Sequence, residues 1–339
     1  MLRSTAPLLL LLLTGCLTSR ASEAVARRAA GPTEALRYPR GPVTAMVTPG
    51  ERESEGYRTS TVTFAAHDPS DLFNPRVVMV LRQPVIRSAR LIVILPILGG
   101  DYGASDLFAR HFAEAGFNTL RFERKDRVFE PGLGFDHVAR MMVRGAIDVR
   151  RGIDWAEDRG LTQRGVGIMG ISMGSFVATI VAASDPRVRS SALALGGGDL
   201  VRVLQAARGE EEIEAFLAAL EARGLSGEEI DRAATQHLGP LDPIVFAPAL
   251  DPRTSLLIHA RFDGVVPYAR GTELWEAAGR PARITLLTGH YTAWFALPYL
   301  LSATLEHFQR SLQNSSTNWQ LGQEKSTRAA PVGSHTPVQ

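Results

Sequence analysis

Between Thr59 and Leu312 the chain alternates short apolar runs with helix-period stripes. Leu91 to Leu95 is apolar throughout, the pattern of a strand covered on both faces. Phe117–Phe122, Val166–Met169, Ala192–Leu195, Ser255–Ile258 and Ile284–Leu287 read as further strands. Thr59–Ala66 and Val77–Leu81 read as opening strands, with an antiparallel edge as one arrangement. Helix patterns fill the gaps: Ser105–Ala115, Val138–Glu157, Met173–Ala183 and Thr292–Leu312. In the second of these, Met142, Ala146, Val149, Ile153 and Ala156 step by four and three, an apolar helical stripe. Such alternation predicts an α/β fold: a mostly parallel sheet with helices on both faces. One stretch departs from it. Residues 199–246 hold no strand pattern. Ile213, Phe216, Leu217 and Leu220 mark one amphipathic helix, and Ser226 with Glu229 starts a second as a capping box. A small helical cap insertion is expected there, with a decorated crossover as the plainer alternative.

The two ends lack sustained periodicity. Residues 1–15 carry Arg3 and an unbroken leucine run, Leu8–Leu13, too short to span a bilayer and therefore read as a signal peptide. Leu13-Thr14-Gly15-Cys16 resembles the bacterial lipobox. That resemblance implies lipidation of Cys16, a membrane anchor at the N-terminus and, with Leu17 following the cysteine, the bacterial outer membrane. Residues 16–56 read as a tether to a folded domain over 57–312, and residues 313–339 as a disordered polar tail.

Composition narrows the classes. The 339 residues are 45% hydrophobic and 21% charged, so a sizeable core can form. A formal net charge of +2 offers no basic stripe and no reason to expect a nucleic-acid partner. Cys16 is the single cysteine, so no disulfide or cysteine metal site can form within one chain. His67, His111, His137, His237, His259 and His307 show no metal-ligand spacing, and His259 reads as a core residue. The charge run from Arg121 to Arg127 reads as a solvated loop, with Arg124 as a possible contact for an acidic substrate.

Three motifs carry chemistry. Gly170-Ile171-Ser172-Met173-Gly174 stands between an apolar strand and a helix pattern, the setting of a nucleophile elbow. A serine hydroxyl is a poor nucleophile and needs a base. His290 follows the last strand in Leu286-Leu287-Thr288-Gly289-His290, and imidazole takes a proton near neutral pH. Asp263 follows the preceding strand and would orient the imidazole; Asp199 is the rival acid. Trp294 lies near His290 as a pocket residue or a core residue.

With the elbow, Phe262-Asp263-Gly264-Val265-Val266-Pro267 and Thr288-Gly289-His290 in that order, the chain resembles the α/β-hydrolases, closest to esterase and dienelactone-hydrolase-like members. The latter use Cys where this chain has Ser172. The resemblance implies a catalytic triad of Ser172, Asp263 and His290, with an oxyanion hole from the N–H groups of Met173 and Leu98, Ile97 being second choice. The early loop reads Pro96-Ile97-Leu98-Gly99-Gly100, without the glycine the family often has after its first residue. The implied activity is cleavage of a small-molecule carboxylic ester through an acyl-enzyme, without metal or cofactor. A peptidase, amidase or acyltransferase on the same triad, and a non-catalytic surface binding protein, stay open at this point.

Overall fold

The computed structural model describes residues 17–19, 34–50, 54–68, 75–86, 88–98, 102–123 and 127–328. The signal segment 1–15, Cys16 and Arg124 lie outside them. The strands are β1 (Leu17–Ser19), β2 (Met46–Pro49), β3 (Tyr57–Ala65), β4 (Arg76–Pro84), β5 (Leu91–Leu95), β6 (Asn118–Glu123), β7 (Val166–Ile171), β8 (Val188–Ala194), β9 (Ser255–Ala260) and β10 (Ala282–Leu286). The helices are α1 (Gly103–Glu114), α2 (Phe135–Glu157), α3 (Met173–Ser184), α4 (Leu200–Ala206), α5 (Glu211–Ala222), α6 (Gly227–Leu238), α7 (Pro243–Phe246), α8 (Tyr268–Ala277) and α9 (Leu297–Arg328).

All described strands form one sheet, in the order β1-β10-β9-β8-β7-β5-β6-β4-β3-β2. The stretch from β10 to β6 is parallel, and antiparallel pairs extend it at both sides. Successive side chains of a strand point to opposite faces. Leu91, Val93 and Leu95 of β5 therefore join Val149 and Ile153 of α2 and Val177 and Ile180 of α3 on one face. Ile92 and Ile94 join Phe108 and Phe112 of α1 and Phe308 of α9 on the other. Both layers are apolar, so β5 and β7 are buried at every position. Each such aliphatic side chain contributes about 1.5–3 kcal/mol.

The chain leaves β5 for β6 on one side, then crosses to β7 on the other. That reversal opens a crevice at the carboxyl ends of β5 and β7, the place where open α/β sheets bind ligands.

The flanks differ from the sequence expectation. The 16–56 segment, expected as a tether, contributes β1 against β10, β2 against β3, and Leu36, which is fully buried. Tyr38 and Arg40 bond to Asp154 and Glu157 of α2. The tail expected from residue 313 begins inside α9, which runs on to Arg328. Residues 329–339 lie outside the described residues. The cap region holds α4 to α7 rather than two helices. Its capping box is present: the Glu229 N–H donates to Ser226 Oγ, and the Ser226 N–H to Glu229 Oε2. Phe216 of α5 stacks edge-on against Phe129 and Phe135, and the Arg223 guanidinium donates to the carbonyls of Gly132 and Leu133. The cap is thus held to the entry of α2. Arg121 belongs to β6, not to a solvated loop; its charge is taken up by Asp106 and Glu123.

Candidate active site

Strand β7 reaches the crevice and must turn sharply into α3. Ser172 makes that turn at φ 52° and ψ −118°, a strained backbone for a residue with a side chain. Two glycines permit it sterically. A β-carbon on Gly170 would sit 2.2 Å from the Gly174 carbonyl oxygen. One on Gly174 would sit 2.4 Å from the Pro96 oxygen and 2.5 Å from the Leu95 oxygen. The elbow thereby packs directly on the loop leaving β5. The Ser172 N–H donates to Ala194 O at 2.8 Å, which ties the turn to the end of β8.

Asp263 and His290 come from adjacent loops that are stitched together. Arg261 N–H donates to Leu286 O at 2.8 Å and Phe262 N–H to Thr288 O at 2.9 Å. The loop after β9 is thereby registered against the loop after β10. Asp263 Oδ1 accepts from the N–H groups of Val265 and Val266, at 2.9 and 2.8 Å. Its Oδ2 lies 2.8 Å from His290 Nδ1. The tautomer with its proton on Nδ1 donates to this carboxylate and leaves Nε2 as an acceptor. Nε2 lies 3.0 Å from Ser172 Oγ. The Asp263 and His290 side chains are both largely buried. The result is one continuous chain of hydrogen-bond partners: carboxylate, imidazole and hydroxyl.

Asp199, the rival acid, is engaged elsewhere. It caps α4 by accepting from the Arg202 N–H and pairs with Arg270 at 2.8 Å. Among the described residues no group of His, Cys, Asp or Glu could hold a metal ion. His259 is buried within β9, as expected of a core residue.

Ser172 and His290 open onto a cavity of about 450 Å³. Leu98 and Ile97 line one side of it, and Trp294 and Tyr291 another. Met173 is the first residue of α3, so its N–H has no acceptor within the helix and belongs to the positive end of the helix dipole. The Tyr291 hydroxyl donates to the Glu210 carboxylate ahead of α5, bridging the cap to the loop of His290. Burial and the Glu210 hydrogen bond push that hydroxyl up to about 12. Neither Glu210 nor the deeper wall residue Phe108 carries a sequence signal for a pocket. Tyr291 had one weak signal, its place directly after His290.

No family model and no curated protein matches the sequence. Solved structures do. Acetyl xylan esterase 1 from a Thermoanaerobacterium species superposes with a TM-score of 0.60 at 14% identity, covering 77% of this chain and 88% of that one. An acetyl xylan esterase from a Paenibacillus species gives 0.59 at 15%, covering 78% and 89%. A cold-adapted esterase from an Arctic intertidal metagenomic library gives 0.53 at 17%, covering 79% and 99%. At such identities the likeness is one of architecture, and with the sheet order and crossings described above it establishes that this chain has the α/β-hydrolase fold.

Proposed function

We propose that the protein is a serine hydrolase that cleaves carboxylic esters through an acyl-enzyme on Ser172. The observation that carries this reading is the unbroken hydrogen-bond chain from Asp263 through His290 to Ser172. Ser172 Oγ attacks the ester carbonyl carbon while its proton passes to His290 Nε2. The carbonyl π electrons move to oxygen, and the N–H groups of Met173 and Leu98 receive that oxyanion. Collapse of the tetrahedral intermediate breaks the bond to the alkoxy oxygen, which takes the proton from His290 and leaves as the alcohol. Water then gives a proton to His290 and attacks the acyl carbon; collapse of this second intermediate breaks the bond to Ser172 Oγ, which takes that proton back from His290, and the carboxylic acid is released. Asp263 stays ionised and stabilises the imidazolium.

That the superposing enzymes are esterases supports esters over amides. We further propose that the mature chain is held at a bacterial outer membrane by lipid on Cys16. The leucine run followed by Thr14-Gly15 and the chain's single cysteine supports this. No helix of the described residues is long and apolar enough to cross a membrane.

A panel of acyl esters, amides and short peptides tests the activity on wild type and Ser172→Ala. Ester turnover is expected, falling by about 10⁴-fold or more in the variant. Turnover of amides or peptides in preference to esters would replace the substrate class. Ester turnover that survives in Ser172→Ala would remove the mechanism.

A further inference from the structure

Among the described residues, the cavity beside Ser172 has polar side chains at its rim and apolar ones on its inner walls. Ser172, His290, Tyr291 and the glutamates that open α5 rim its mouth. The inner walls are Phe108 of α1, Met169 of β7, Ala194 of β8, Ile258 of β9 and Leu300 of α9, all buried. These strand residues belong to the sheet face that packs on α1 and α9. The cavity is therefore a gap left between that face and those helices, continuous with the nucleophile. Among the described residues its inner end offers no hydrogen-bonding side chain, so a polar substituent placed there would lose water and gain no partner from them.

The mechanism proposed above decides which half of an ester belongs in this gap. The alcohol must take a proton from His290 and escape before water enters. The acyl group stays bonded to Ser172 Oγ through both steps. The buried apolar walls suit the half that stays, and the exposed polar rim suits the half that leaves. At the liquid share of about 30 Å³ per water-sized group, a cavity of about 450 Å³ holds on the order of fifteen such groups. Part of that space is the open mouth. An acetyl group would leave most of it unfilled.

Resting on the serine-hydrolase reading, we infer that this cavity is an acyl pocket, selecting unbranched medium-chain acids of roughly six to ten carbons over acetate. Each methylene entering an apolar pocket gains at most about threefold to fourfold in kcat/KM. Octanoyl carries six more methylenes than acetyl, and at about twofold realised for each the preference is expected on the order of a hundredfold.

The test is the kcat/KM profile of the full chain on 4-nitrophenyl esters from two to sixteen carbons, with fluorophosphonate labelling run alongside. A maximum at medium length, falling again for longer chains, supports the pocket. Ala104 lines the cavity from the first turn of α1 and is only half-buried. Ala104→Trp should move the optimum to shorter chains and lower the octanoyl-to-acetyl ratio at least tenfold. Phe108→Ala should move the optimum to longer chains. Because the ratio is internal to each variant, a lower yield of folded protein does not alter it. A profile highest at acetate, with turnover and Ser172 labelling intact, overturns the acyl pocket and leaves the hydrolase standing. Labelling without turnover on any ester overturns the pocket too. Neither labelling nor turnover overturns both.

Discussion

Each edge of the parallel sheet carries a cluster built on buried aspartates, and the two clusters do different work. At the amino-terminal edge, Arg187 precedes β8 and binds Asp185, Asp154 and Glu157 at 2.7, 2.6 and 2.8 Å. α2 and α3 end at this edge, so their carbonyl ends favour the cation. Tyr38 and Arg40 add themselves to Asp154 and Glu157 and strap the amino-terminal segment to the domain. At the carboxyl edge, Asp263 meets His290 instead of an arginine. Arginine does not release its proton in a protein, so the first cluster is fixed. Imidazole does, and its second nitrogen faces a hydroxyl at a cavity. Under the proposed mechanism, the buried carboxylate whose partner can titrate and faces open space serves chemistry, and the one whose partner cannot serves structure.

The two clusters should respond oppositely to substitution. Asp263→Asn keeps the shape of the loop but lets the imidazole take the wrong tautomer. It should lower kcat by about 10⁴-fold with little change in melting temperature. Arg187→Leu leaves Asp185 and Asp154 buried with only the longer 3.5 Å ion pairs to Arg150 and Arg40. It should cost about 3–5 kcal/mol in denaturant unfolding while kcat per folded molecule stays the same. Equal effects on rate and stability at both positions would erase the distinction. Gly174→Ala links the two readouts. Its β-carbon pushes the elbow off the loop of Leu95 and Pro96, and a displacement near 1 Å should cost about 10²-fold in kcat.

The smallest expected effect belongs to neither cluster. His259 is fully buried on β9, and burial, with the Arg283 charge beside it, holds its pKa down to about 3. Burial likewise lowers His307 to about 4, against the opposing pull of its Ser191 hydrogen bond. In the unfolded chain both take a proton near 6.5. Between pH 6.5 and about 3 the unfolded state therefore binds protons that the native state refuses, and stability rises with pH across that window. Melting temperature should fall as pH drops from 6.5 toward 4, and less steeply in His259→Leu. An identical slope in the variant would remove His259 from the account.

The parts of the fold legible in the sequence are those buried on both faces. Leu91–Leu95 and Val166–Ile171 announce themselves because every position is apolar. Gly170, Ser172 and Gly174 were legible because the turn tolerates little else. Chain order favoured Asp263 over Asp199 as the acid; Asp263 Oδ2 lies 2.8 Å from His290 Nδ1, and Asp199 pairs with Arg270. The missed pieces lack a pattern for a physical reason. Every residue of β2 is exposed, so its strand has no alternation to read. Leu36 is a single buried anchor within a polar stretch. Arg121 reads as part of a charge run, because nothing local shows that Asp106, far along the chain, will neutralise it. The cavity walls Phe108, Ala194 and Ile258 resemble any other core residues until the helices are seen to stand off the sheet.

The most direct test of the central claim is intact and peptide mass spectrometry of the folded full chain after fluorophosphonate treatment. One phosphonyl adduct per chain, mapped to Ser172 and absent from Ser172→Ala, is the predicted result. An adduct on another residue, or an unmodified Ser172 in correctly folded protein, would contradict it.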